Sequence, residues 1–141
     1  MIELLIAAAI FAVLASLAIP AYSNYRDRIN RDKAITDILE ISAFIKVYQD
    51  TYDALPASLA DVDKGGKLDP WGNPYQYLNI TTAKGKGKLR KDKSLTPINS
   101  DYDLYSMGKD GKSVTPLTAK ASQDDIIRAR DGQFVGLASD F

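Results

Sequence analysis

Residues 4–21 carry no charged side chain, and their apolar residues leave no polar face. A run of 18 such residues matches the length that a helix needs to cross a bilayer. Its helix formers predict a helix that starts near residue 2. Pro20 lacks a backbone donor and its ring crowds the preceding turn, so a kink or local melting is expected at residues 16–20. Beyond it the period becomes that of a two-faced helix. Ile35, Ile38, Ile41, Ile45, Tyr48 and Tyr52 recur at three- and four-residue spacing and form one apolar stripe, read as core. Arg26, Asp27, Arg31, Lys33, Asp37, Glu40, Lys46 and Asp50 are read as the opposite, solvated face. Ala54-Leu55-Pro56 ends the helix, because a residue before proline avoids the helical region. One helix over residues 2–53 would span roughly 75 Å, far more than a bilayer.

Past residue 54 the chain is punctuated by glycine and proline. Residues 56–59 can start a short helical turn, Lys64-Gly65-Gly66-Lys67 is a loop, and Asp69-Pro70-Trp71-Gly72-Asn73-Pro74-Tyr75 is dense in turn formers. Residues 75–80 and 101–107 predict strands, the second with Tyr102, Leu104 and Ser106 on one face. Residues 132–137 predict a last short strand. The basic stretch 84–93 reads as a solvated hairpin tip. It is too poor in aromatics to suggest nucleic acid as the primary ligand. The class is α+β: a long N-terminal helix on a small antiparallel sheet, with a C-terminal loop region. Three segments follow: an apolar half-helix at 1–23, an amphipathic half-helix at 24–53, and a globular head at 54–141.

Charge and composition narrow the chemistry. Lysine plus arginine and aspartate plus glutamate both number 18, so no net charge draws the chain to a polyanion. Histidine and cysteine are absent, which removes the commonest general base, the usual zinc ligands and every thiol nucleophile. An enzyme held by one helix would need a nucleophile and base from Asp, Glu, Lys or Tyr, and no such constellation stands at recognisable spacing. The reading is non-enzymatic. A metal would need oxygen ligands, which favours calcium or magnesium. A row of aromatics along the helix (Phe11, Tyr22, Tyr25, Phe44, Tyr48 and Tyr52) is explained by packing.

Glu3 is the anomaly. A carboxylate heads an apolar run in which an ionised acid costs about 2.5–3.5 kcal/mol at the bilayer centre. Three ordinary readings compete for this head. A signal peptide would have basic residues before the run, and none is present. A buried core helix would be shorter. A plain membrane anchor suffices physically but gives Glu3 no purpose.

Met1-Ile2-Glu3-Leu4-Leu5-Ile6 with the apolar run behind it resembles the mature N-terminus of type IV pilins and of type II secretion pseudopilins. The Asp69-to-Tyr75 segment, followed by Tyr102-Asp103-Leu104-Tyr105-Ser106-Met107-Gly108-Lys109-Asp110-Gly111, resembles the major pseudopilin of type II secretion. The resemblance covers nearly the whole chain and implies a pilin fold. It also implies a subunit that polymerises with itself into a helical filament. Its apolar helix would rest in the inner membrane before assembly, after cleavage by a prepilin peptidase, and then be handed to a pilus or secretion assembly machinery. Glu3 would pair with the terminal amine of a neighbouring subunit and set register, the alternative being a glutamate at the interface edge. Pro20 would lie where family helices melt in the filament. The family's glutamate is normally the fifth mature residue. Glu3 stands two places early, so the resemblance implies two further residues ahead of Met1.

The resemblance also implies calcium, held by the main-chain carbonyl of Met107 and by the carboxylates of Asp110 and Asp125, with Asp124 beside them. Lys112-Ser113-Val114-Thr115-Pro116 departs from the family's Gly-Gly at this loop. A second reading stays open: Ser122 caps a short helix and Asp124 and Asp125 complement its dipole. The chain runs on through residues 127–141, past the point where pseudopilins usually end. That extension favours a cell-surface pilus, with a periplasmic pseudopilus as the alternative.

Overall fold

In a computed structural model the chain is described over residues 1–141, the side chain of Lys86 apart. It forms two compact units, Met1–Asn30 and Arg31–Phe141. Helix α1 (Ile2–Tyr52) makes up the first unit and begins the second. Four strands follow: β1 (Gln76–Asn79), β2 (Tyr102–Ser106), β3 (Ile126–Ala129) and β4 (Phe134–Leu137). They pair as an antiparallel sheet in chain order, with Tyr77 opposite Leu104, Ser106 opposite Ile126 and Ile127 opposite Gly136. The class is α+β, the long helix and small antiparallel sheet of a pilin fold.

α1 is unbroken across Pro20, so the melting expected at residues 16–20 is absent from the free chain. Proline deletes one donor, the one that would have reached the Ser16 carbonyl, and the hydrogen bonds on either side keep the helix. The apolar stripe is core: Ala34, Ile38, Ile41 and Ile45 are completely or almost completely buried. They pack with Leu59, Val62, Tyr75, Tyr102, Leu104 and Ile126. Tyr52 at the end of the stripe is exposed.

Asp37 and Glu40 do not belong to a free solvated face. Asp37 is buried, and its Oδ2 accepts from the Tyr75 hydroxyl at 2.9 Å while Lys67 Nζ lies 2.9 Å from Oδ1. Glu40 pairs with Lys64 at 2.7 Å and also with Lys67. The Lys-Gly-Gly-Lys loop is therefore an ionic clasp on the helix. Both of its lysines reach one turn of α1. Burial opposes the charge on Asp37, but hydrogen bonds from Lys67 and Tyr75 outweigh it and hold the carboxyl below its usual range. Hydrogen bonds from Lys64 and Lys67 hold Glu40 down to about 2.

The strand at β3 replaces the short helix expected from Ser122. Residues Lys120–Ser122 make one 3-10 turn, and the chain then extends. All four residues of β3 are buried. Ile126 joins the helix-side core, while Ile127 and Ala129 join a second cluster with Ile98, Leu117 and Ala138 on the opposite side. A strand buried on both faces shows no polar alternation.

Two expectations follow, both read by thermal melting of the full chain in detergent. Ile41→Ala should destabilise the head by about 2–5 kcal/mol, since the cavity adds to the lost transfer energy. Asp37 and Glu40 have lowered folded pKa values, so their contribution is present above about 4.5 and lost as pH falls toward 2. Lys67→Met should flatten that part of the pH–melting curve.

Candidate functional site

Residues Met1–Asn30 offer a surface rather than a pocket. Leu5, Phe11, Leu14 and Ile19 stand at different angles around the helix, and all are exposed. α1 is long and apolar enough here to cross a membrane. Glu3 lies in its first turn, where a carboxylate complements the helix dipole. No ion pair or side-chain hydrogen bond joins Glu3 to another of the described residues. Its dipole contact is weak beside the cost of an apolar setting, so the side chain is chemically unsatisfied within one chain.

In the head, the two segments that carry the resemblance are locked together. Asp69 is buried, and its Oδ1 accepts from the backbone of Trp71 at 3.0 Å and Asn73 at 2.8 Å. Pro70 sits second in the turn closed by Gly72 N–H on the Asp69 carbonyl at 3.0 Å. Asp69 Oδ2 accepts from the Ser106 hydroxyl at the end of β2, at 2.5 Å. Ser106 Oγ in turn accepts from Gly108 N–H at 3.1 Å, and the Asn73 amide donates to the Gly108 carbonyl at 3.2 Å. Gly108 has φ +66, and a Cβ there would stand 2.3 Å from the main-chain oxygen of Asp124. The backbone of the 108 turn thus passes against that of the 124 turn with no room for a side chain.

The acids expected as ion ligands lie along this crossing, and each has one carboxylate oxygen engaged within the chain. Asp110 Oδ1 accepts from Lys112 N–H at 2.8 Å, and Asp124 Oδ2 accepts from Asp110 N–H at 3.0 Å. Asp125 is fully buried, with Oδ2 held by Arg90 Nη2 at 2.5 Å and by the Ser113 hydroxyl at 2.5 Å. Burial pushes the Asp125 carboxyl up to about 6, against the downward pull of Ser113 and Arg90. Among the described residues, no group of three or more acids is placed to hold a metal ion. Ser122 caps nothing: its hydroxyl accepts from Val114 N–H at 2.9 Å and donates to the Val114 carbonyl at 2.8 Å, fastening the loop midway.

Comparison with known proteins decides the family. A type II secretion system core protein G from Pseudomonas aeruginosa is 30% identical over 133 residues, covering 79% of this chain and 82% of that protein. Proteins of the same name from Aeromonas hydrophila and Escherichia coli K12 are 25% and 26% identical, covering 82% and 89% of this chain and 84% and 86% of theirs. This chain belongs to the major pseudopilin family of type II secretion. No family model matches it. No solved structure matches it.

The relatives do not support the surface-pilus reading drawn from the C-terminal extension. In this pseudopilin-family chain residues 126–137 are β3 and β4, two of the four strands of the one sheet. The extension completes the sheet of the head.

Arg90 is the residue that the sequence pattern hid. It sits in the basic stretch read as a hairpin tip, yet it is buried, and Leu89 beside it is buried too. One signal was available: a single arginine next to a leucine among lysines. Arginine, with its planar fork and weak hydration, is the cation that tolerates burial.

Asp69→Ala should strand the Ser106 hydroxyl and two backbone donors. The expected cost is about 3 kcal/mol, checked by urea unfolding, with Asp69→Asn retaining part of the stability.

Proposed function

We propose that the chain is the major filament subunit of a type II secretion pseudopilus, anchored in the inner membrane by α1 before assembly and then built into a periplasmic fibre. The observation that carries this reading is the 18-residue uncharged run, apolar on all sides, with one carboxylate at its head. A helix that is hydrophobic all round must be buried. A bilayer buries it before assembly, and only other apolar helices can do so afterwards. Repeating one contact between identical chains without closure gives a helical fibre. Family membership supports the secretion setting over a surface pilus, and with it the secretion assembly machinery and a prepilin peptidase as partners.

Glu3 has the register role in this scheme. Apolar helices slide past one another at little cost, since dispersion and hydrophobic contact are not directional. A carboxylate placed once per subunit in an apolar bundle is satisfied only where a cation meets it, and the terminal amine of a neighbour is the cation at the right end of the chain. Such a pair fixes position more than it adds stability. Pro20 contributes one unpaired carbonyl, and hence a place where the helix can open when the bundle packs. No catalytic step enters this scheme.

Glu3→Ala and Glu3→Gln should reduce fibres to background in electron micrographs of cells that express the chain with a secretion apparatus. The melting temperature of the head should stay unchanged. Abundant, normal fibres from either variant would refute the register role.

A further inference from the structure

We propose that Arg90 is the resident cation of the C-terminal loop, doing with a side chain what calcium is expected to do in the resembling family, so that this head folds without calcium. A structural ion in a loop gathers oxygens from separated stretches of chain and cancels a carboxylate's charge. The Arg90 guanidinium does the same. Nη2 binds Asp125 Oδ2 at 2.5 Å, and Nη1 binds the Val114 carbonyl at 3.0 Å and the Ser113 hydroxyl. One carboxylate, one main-chain carbonyl and one hydroxyl, drawn from residues 113, 114 and 125, thus converge on one positive group.

The group is fixed from behind as well. Arg90 N–H donates to Asp103 Oδ2 on β2 at 2.9 Å, and the guanidinium lies 4.1 Å from the centre of the Tyr105 ring. The next residue continues the clamp: Lys91 N–H donates to the Thr115 carbonyl at 3.1 Å, and Leu117 N–H to the Lys91 carbonyl at 2.9 Å. Residues 113–117 are therefore held by backbone and by charge from a segment some 25 positions earlier. A divalent cation binding Asp125 would have to share its carboxylate with a fixed positive charge in a buried setting, where like charges repel strongly. Arg90 meets Asp125 through one prong, Nη2 to Oδ2, and spends its other terminal nitrogen on Ser113 and Val114.

The test is thermal melting of the full chain in detergent, in chelator and in millimolar calcium, with calorimetric titration of calcium alone. The wild-type melting temperature should agree within about 1 °C between the two conditions, and the titration should show no saturable heat. A site filled at a hundred times its Kd would instead raise the melting temperature by roughly 5–15 °C, which would overturn the proposal. Arg90→Met should melt at least about 5 °C lower, because it leaves a buried carboxylate without its cation. Melting at the wild-type temperature would overturn it equally. If Arg90→Met does not fold, Arg90→Lys, which keeps the charge and loses the two-nitrogen reach to Val114 and Asp125, takes its place and should show an intermediate loss; an unchanged melting temperature there would overturn the convergence of the loop on the guanidinium.

Discussion

A sheet of strands only four or five residues long cannot stand unless both of its faces are covered. On one face the cover is the apolar stripe of α1, with Ile38 and Ile41 wholly buried against Leu104 and Ile126. No helix is available for the other face, which is roofed by connecting chain. Chain without regular structure brings polar backbone and charged side chains with it, and these must be satisfied where they are buried. The second face is therefore a small apolar cluster around Ile127, edged by charge. Asp103 on β2 is buried and accepts from Arg90 N–H and from the Asn99 amide at 3.0 Å, while the Asn99 amide also reaches the Arg128 carbonyl at 2.9 Å. Burial pushes the Asp103 carboxyl up against those two donors. On the helix side Arg128, two residues on from Ile126, forks onto Asp101 at 2.8 and 2.7 Å and lies over the Tyr102 ring.

This two-sided cover explains which elements were legible in the sequence. The helix was legible because its period is long and its stop is a proline. Strands β1 and β2 lay where turn formers bracket aromatic and apolar residues. β3 was not legible, since Ile126-Ile127-Arg128-Ala129 has neither alternation nor length, and Ser122 ahead of two aspartates imitates a helix cap. The clasp of Asp37 and Glu40 was misread for a related reason. Helical periodicity assigns a residue to a face, and it cannot tell that lysines 24–30 positions downstream will fold over that face. Long-range charge pairing leaves no periodic trace.

The two segments that carry the family resemblance show the reverse case, in which resemblance located a site without explaining it. Asp69 and Ser106 are 37 positions apart and joined by one short hydrogen bond. Around that bond the Trp71 and Asn73 backbone donors, the Gly108 turn and the Asn73 amide are all satisfied. The aspartate supplies two oxygens with several acceptor sites, so it can close its own turn and reach β2 together. Serine supplies a hydroxyl that donates to Asp69 and accepts from Gly108. Glycine is required because the Asp124 backbone fills the space where a Cβ would be. Asp69, Asn73, Ser106 and Gly108 each answer a particular demand of geometry, and the chain they hold leads into the loop that Arg90 clamps.

The two units solve opposite problems with the same kinds of charge. In the head, Asp37 and Asp125 are buried beside cations of the same chain, and Asp69 and Asp103 beside hydrogen-bond donors of the same chain. In residues Met1–Asn30 the balance is reversed. The apolar surface is exposed on all sides and Glu3 has no partner among the described residues of its own chain. Folding alone cannot satisfy that unit, because a single helix has no second surface to bury against. A bilayer removes the apolar exposure but leaves the carboxylate at its edge, and a bundle of like helices can answer both demands at once. Membrane insertion is then the lesser solution and assembly the fuller one. In the proposed scheme, that ordering is the reason subunits would be stored in the membrane and withdrawn from it without first having to unfold their heads.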